Sequence, residues 1–544
     1  MSKLYPDLQN YENECSQTNC GQIFAKSTEI TKDILEKFEE TEIVPEKASL
    51  CGREFNTRQL WVLAGLSLLF STSCLCTGLM FGTDTFDTYL LSNLILSNAS
   101  ATYPIWKGPL IKTYVKVHVF NYTNVREYES RLHRKLRVEE VGPYVYEETL
   151  ERVNVHFHQN GTVSYQEKRD HKYRKDLSVG RESNETVVVP NLPLLGAASL
   201  GKKSFYVTRV AMSTLLKGLR SKPFLDLEID RFLWGYDDTL FTLAKSVLSF
   251  QKKLPFDRIG LLAGRDGLSA DVFNVHTGVK GIEKLQQVEK LNGKSSGTQW
   301  TSEDCNKIKG SDGTSFSPYD IREKRPISVY NKDVCRALPL VYDKDVKMFN
   351  GRISAHKYVL PFDSFDAPER NANNSCFCNK ETRECSPQGL FNAEACSFGA
   401  PVYISFPHFY GADASVRDAV AGLNKNPTDV ESFVYVHPTL GFTMAGTNRL
   451  QLNVHVQKSF GMEQLDVFAD DIILPMAWFE LGLEETDLPD VVKDSIYLAS
   501  VTAPAIEACF KYGSLLASVV TLTAILIVLR SKWIKRQRKL YNPS

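Results

Sequence analysis

The chain has no charge excess: 64 basic residues balance 64 acidic ones over 544 residues. A balanced chain has no general attraction for a polyanion, so binding to nucleic acid through net charge is excluded. Self-contained catalytic motifs are missing as well. No Walker loop, no His-Glu-x-x-His helix and no nucleophile elbow is read in the sequence. Gly260–Gly267, GLLAGRDG, has glycines without the lysine and hydroxyl that a phosphate cradle needs, and reads as a turn between strands. His156 and His158 lie two apart, a spacing that puts both on one strand face with or without a metal. No metal, cofactor or enzyme activity is expected.

Long apolar runs are absent from the 430 residues between 82 and 511, which excludes a helical membrane crossing there. Two runs flank this stretch. Leu60–Phe81, LWVLAGLSLLFSTSCLCTGLMF, has 22 residues and no charge. As a helix it covers roughly 33 Å, the thickness of a bilayer core. Tyr512–Leu529, YGSLLASVVTLTAILIVL, is the second span. A cleaved signal has a core of about 7 to 15 residues close to the terminus, so the first run reads as a retained anchor.

Acid is absent from 530–544, which carries six basic residues, Arg530, Lys532, Lys535, Arg536, Arg538 and Lys539. Such a flank marks the cytoplasmic side. Two spans place both termini on that side, and Arg53 and Arg58 before the first span with Asp84 and Asp87 after it agree. Five Asn-x-Ser/Thr sequons, at Asn98, Asn121, Asn160, Asn184 and Asn373, all fall between the spans, as lumenal glycosylation requires. Cysteine divides likewise. Cys305, Cys335, Cys376, Cys378, Cys385 and Cys396 form an even set of six in the central domain, where three disulfides are expected. Their spacing leaves 15 pairings open. Disulfides account for Cys376-x-Cys378 with Cys385 better than zinc does in an oxidising compartment. Cys15, Cys20, Cys51, Cys74, Cys76 and Cys509 lie in the tails or beside the spans. Cys51 is a candidate palmitoylation site, against the blander reading of a free thiol.

The organisation expected is a disordered cytoplasmic tail over 1–59, spans at 60–81 and 512–529, a lumenal or extracellular domain over 82–511, and a basic tail over 530–544. The first tail has 11 acidic and 7 basic residues, room for a short helix near 27–40, and Tyr5-Pro6-Asp7-Leu8, which has the form of a tyrosine endocytic signal. The central domain carries strand signals of period two at Ile111–Phe120, at Val153–Phe157 with an Asn160-Gly161 turn, and at Leu450–Gln457. Short strands follow at 272–275, 353–360 and 402–406, with turns at Asp312-Gly313 and Asn350-Gly351. Leu192–Trp234 reads as a helical insert, with Val210, Leu215, Leu216 and Leu219 as its apolar stripe. Lys202, Lys203, Lys217, Arg220 and Lys222 fall within 21 residues that contain no acid. An ordinary solvated helix face is the alternative to a binding patch.

The ordered set GPYVYEE (142–148), FLWGYDD (232–238), CFC (376–378), PVYISFPHFYGA (401–412), HPTLGFTMAGTNRLQLNV (437–454) and LPMAWFE (474–480), between two terminal spans, resembles the class B scavenger receptor family. The resemblance covers 60–535, and the tail before it is longer than is usual there. It implies a membrane protein, mainly β with α: a large irregular antiparallel β-barrel ectodomain with a helical cap at about 190–222, flanked by two transmembrane helices. It implies the pairs Cys305–Cys376, Cys335–Cys396 and Cys378–Cys385. Its ligands are lipoproteins, anionic phospholipids and fatty acids, taken at the cap and passed through an apolar tunnel toward the bilayer. The basic cluster falls in the matching segment, although Gly218 stands where a lysine is usual. The lysosomal branch uses a cap histidine and a C-terminal acidic dileucine signal, and neither is present in this sequence. The expected function is therefore a plasma-membrane lipid receptor, also compatible with endosomal or lysosomal membranes and with a homo-oligomer. A protein-binding trafficking receptor, or a recognition receptor for apoptotic cells or microbes, is the alternative.

Overall fold

A computed structural model describes residues 47–541 apart from 51–52, 101, 183, 203–204, 249–256, 380–382, 459–461 and 470. The helix expected near 27–40, the Tyr5–Leu8 signal, Cys15, Cys20, Cys51 and Lys203 lie outside the described residues. The chain forms two compact units, 84–507 and a smaller one made of both ends.

The larger unit is built on one sheet of 14 strands among the described residues. Its antiparallel path runs from Ile327–Asn331 through Arg336–Met348, Ile353–Val359, Phe433–Val436, Thr443–His455, Ile473–Leu483, Thr113–Tyr122, Leu136–Phe157, Thr162–Tyr173 and Gly267–His276 to Val288–Leu291. The strands expected from alternation are all in it. Asn350 and Gly351 both take positive φ and turn Arg336–Met348 into Ile353–Val359, as the sequence predicts. Ile473–Leu483 was not expected, because it is buried on both faces and so shows no alternation.

The two edges of this sheet meet at one residue. Ser311 bridges Gln287, beside the last strand, and Val329, in the first. Its N–H donates to Ser328 O and its carbonyl accepts from Tyr330 N–H, at 2.9 and 3.0 Å. Gly310 must lack a side chain here, since a Cβ would stand 2.8 Å from the Ser328 carbonyl. The nearly closed sheet leaves little unpaired edge. Behind the seam lies a fully buried Arg152. It donates to the Trp106 carbonyl at 2.5 Å and to Asp312 Oδ2 at 3.1 Å, and it sits over the Trp106 ring at 4.9 Å. The Tyr165 hydroxyl shares Asp312 Oδ2 at 3.3 Å.

Three disulfides pair Cys305 with Cys376, Cys335 with Cys396 and Cys378 with Cys385, the pairs the family resemblance implies. They clamp an aromatic cluster of Trp300, Phe365, Phe377 and Phe391. A cavity in this region, of about 20 Å³, has room for a single water and no ligand.

His437 opens the HPTLGF segment. Its Nδ1 accepts from the N–H groups of Thr439 and Leu440 at 3.2 and 3.1 Å, which leaves Nε2–H to donate to Ser500 Oγ at 3.0 Å. Burial first, and the neighbouring His356 second, lower its pKa to about 4. The fold thus holds the neutral ring, while the unfolded chain takes up a proton near pH 6.5. The resulting stability is complete above about pH 6.5 and is lost as pH falls toward 4, on the order of 3 kcal/mol. Thermal melts of the full chain in detergent at pH 7 and pH 4.5 are expected to differ less for His437→Asn, which keeps an acceptor but cannot titrate. Equal pH losses in both proteins would remove His437 from this role.

In the smaller unit, Lys47–Leu50 and Arg53–Asn56 pair as a hairpin, and the helix Thr57–Gly82 follows at once. The last part of the tail expected to be disordered is therefore ordered. Its pairing spans only four residues a strand, too few to show a period. Thr57–Gly82 and a second helical run, Asp490–Ser531, are each long and apolar enough to cross a membrane. Thr77 Oγ1 donates to Ser514 Oγ at 3.0 Å, and Phe81 meets Tyr512 edge-on at 6.0 Å. Small hydroxyl residues at such a crossing let two apolar helices approach and share a hydrogen bond.

Candidate functional site

Leu192–Trp234 is only partly the helical insert that its spacing predicts. Helices form at Leu192–Lys202 and Tyr206–Gly218, but Phe224–Glu228 is a strand paired with Thr186–Pro190. The reason is burial on a sheet: Phe224 and Leu227 face the core, and Val187 and Val189 opposite supply β-branched partners. Asn191 fixes the start of the insert. Its Oδ1 accepts from Leu194 N–H at 3.0 Å, and its Nδ2 donates to the Lys222 carbonyl at 2.8 Å, which ties the two ends together.

The first helix buries almost all of its length, from Pro193 to Gly201. The second buries Leu216 completely and packs Met212 and Leu219 against the same core. Of the apolar stripe read in the sequence, Leu216 and Leu219 pack into the core, while Val210 and Leu215 are exposed. Phe205, Tyr206 and Val207 stand out further, with Phe205 88% and Val207 78% exposed. An apolar group this exposed on one helix marks an interaction surface. Helical periodicity groups Val210 and Leu215 with Leu216 and Leu219 but does not show which of them a neighbour covers.

The basic residues lie in the same insert, Lys202 at the end of the first helix before Phe205, and Lys217, Arg220 and Lys222 at and after the far end of the second. Lys202, Lys217, Arg220 and Lys222 are all exposed. Lys217 Nζ lies 2.7 Å from Glu463 Oε1, so its charge is answered locally. Both groups are well hydrated, and such a pair contributes little stability. Among the described residues no acidic side chain forms an ion pair with Lys202, Arg220 or Lys222. Arg220 has φ +50°, a left-handed turn that ends the second helix. The site therefore joins apolar side chains to uncompensated cations, which suits a surface that is oily and anionic at once.

The other sequence-predicted sites are dispersed. Asn98, Asn160, Asn184 and Asn373 are exposed, whereas Asn121 is half-buried within Thr113–Tyr122 and accepts from Val188 N–H at 2.9 Å. Glycopeptide mass spectrometry is expected to find the lowest occupancy at Asn121. Full occupancy there would contradict the placement. Gly293-Lys294-Ser295-Ser296-Gly297 does match Gly-x-Ser-x-Gly, contrary to the expectation that no elbow is present, but Lys294 bridges back to Leu291 and no helix starts before Glu303. A strand–turn–helix elbow is not formed. His156 and His158 stack edge-on, with His158 Nε2 2.8 Å from Ser164 Oγ.

A nearly closed antiparallel sheet with three disulfides, an exposed helical surface and two helices apolar enough to cross a membrane define a class of membrane-anchored β-domain protein. Residues 63–529 match the CD36 family, and the chain belongs to that family. It is 31% identical over 445 residues to scavenger receptor class B member 1 of Bos taurus, covering 81% of this chain and 84% of the relative. The Mus musculus protein of that name is 31% identical, covering 78% and 81%. Lysosome membrane protein 2 of Homo sapiens is 30% identical over 374 residues, covering 68% and 75%.

Proposed function

We propose that this protein is a two-span scavenger receptor, with both termini in the cytoplasm, that captures anionic phospholipid surfaces or lipoproteins at its helical cap. Apolar cargo then passes through the interior of the β domain to the membrane. The exposure of the apolar Phe205–Val207 segment and of Lys202, Arg220 and Lys222 within one helical insert is the observation that carries the reading. Cations concentrate anionic particles at the cap, and the aromatic and aliphatic groups then leave water on contact. Delivery through protein spares cargo about 0.8 kcal/mol per methylene otherwise exposed to water. Family membership and the named relatives support a receptor rather than an enzyme.

A plasma-membrane location fits the scavenger receptor relatives, and endosomal or lysosomal membranes fit the lysosomal ones. Native mass spectrometry of the purified glycosylated chain tests the reading. Co-purified phospholipid, sterol or fatty acid is expected, and a lipid-free protein that binds a protein partner and no liposome would contradict it.

A further inference from the structure

We propose that the segment 530–541 is a second lipid-binding element, separate from the cap: a basic amphipathic helix that engages anionic phospholipid headgroups of the leaflet where the second span ends. The helix Ala503–Tyr541 runs beyond the apolar stretch without a break, so these residues are helical and not a loose tail. At 3.6 residues per turn, the sequence positions of Trp533, Ile534, Leu540 and Tyr541 fall on one side of the helical wheel, with Gln537 and, at the end of the span, Arg530 between them. Lys532, Lys535, Arg536, Arg538 and Lys539 take the remaining positions, and no acid occurs from 530 to 544. Trp533 is 53% exposed and Ile534 42%, so within the described residues nothing covers the start of the apolar face.

Charge complementarity and place select the occupant. The segment begins where the apolar run stops, so the first surface within its reach is the headgroup layer. Tryptophan and tyrosine on one face and clustered lysine and arginine on the other are the composition of a helix that lies in that layer. Each such cation near an anionic leaflet strengthens attraction additively, and salt screens it. The inference rests on the two-span reading but not on ligand capture at the cap.

The test uses the full chain, delipidated in mild detergent and offered an equimolar mixture of phosphatidylcholine and phosphatidylserine, with retained lipids counted by native mass spectrometry. Parent protein is expected to retain the anionic lipid by roughly tenfold over the zwitterionic one at low salt, with the preference collapsing at high salt. Glutamine at Lys532, Lys535, Arg536, Arg538 and Lys539 together is expected to bring the ratio near one. Because that change could disturb insertion, Trp533→Ser with Ile534→Ser, which keeps every charge, is run beside it and is expected to lower anionic lipid retention by roughly threefold or more. The comparison is made in chains whose Lys202, Arg220 and Lys222 are already reversed to glutamate, which removes the cap's own attraction for anionic lipid, so failure of the cap reading and failure of this one are distinguishable. Equal retention of both lipids by the parent, or capture of the segment by a calcium-loaded acidic protein with no lipid preference, overturns the proposal.

Discussion

Asp312→Ala is expected to destabilise the β domain by about 3 to 5 kcal/mol, enough to leave much of the protein unfolded. The substitution removes the carboxylate that forms the ion pair with the fully buried Arg152 among the described residues, and a buried charge left without its partner is costly. It also strikes the seam, since Asp312 follows the residue that joins the two sheet edges, and its Oδ1 accepts from Thr314 N–H at 2.9 Å. Asp312→Asn keeps a side chain able to hold that turn and is expected to lose less. Arg152→Leu combined with Asp312→Ala removes both charges and is expected to recover part of the loss. Thermal unfolding in detergent, read beside the yield of mature glycosylated protein, measures all three. A melting temperature for Asp312→Ala within a degree or two of the parent would show that the seam does not depend on this pair.

Reversing Lys202, Arg220 and Lys222 to glutamate is expected to weaken binding to phosphatidylserine vesicles by roughly a hundredfold, at about 1 kcal/mol for each cation near an anionic surface. Most of that difference is expected to vanish at high salt, where screening has already reduced the parent's affinity. Lys217→Glu alone is expected to matter less than Arg220→Glu, because Glu463 already neutralises Lys217. Phe205→Asp with Val207→Asp tests the apolar half of the site. Burying side chains of this size contributes about 1.5 to 3 kcal/mol each, so the loss is large and persists at high salt. Vesicle flotation separates the two contributions: charge variants converge with the parent as salt rises, while the apolar variants do not. Unaltered binding by both sets would remove the cap as the docking surface.

Much of the frame was legible in the sequence, for identifiable reasons. The spans, the alternating strands at Thr113–Tyr122 and Thr443–His455, and the Asn160-Gly161 and Asn350-Gly351 turns depend on local pattern, and local pattern is what a sequence displays. Ile473–Leu483 was missed because a strand covered on both faces carries no period. Phe224–Glu228 was read as helix because five residues with two leucines fit either period. The seam at Ser311 and the Arg152–Asp312 pair join residues far apart in the chain, and no local signal announces such contacts. The basic half of the candidate site was visible as a charge cluster. Its apolar half was not, since periodicity says which residues share a helix face but not whether a neighbour covers that face.

Central to this account is the delivery of lipid from a captured particle into the membrane that holds the receptor. The most direct test reconstitutes the full chain in phosphatidylcholine vesicles and follows a fluorescent fatty acid or sterol arriving from phosphatidylserine-containing donor vesicles. Transfer faster than in protein-free vesicles, saturable in donor and lost on reversal of Lys202, Arg220 and Lys222, is the predicted result. A rate equal to that of protein-free vesicles, with the protein folded and glycosylated, would contradict it.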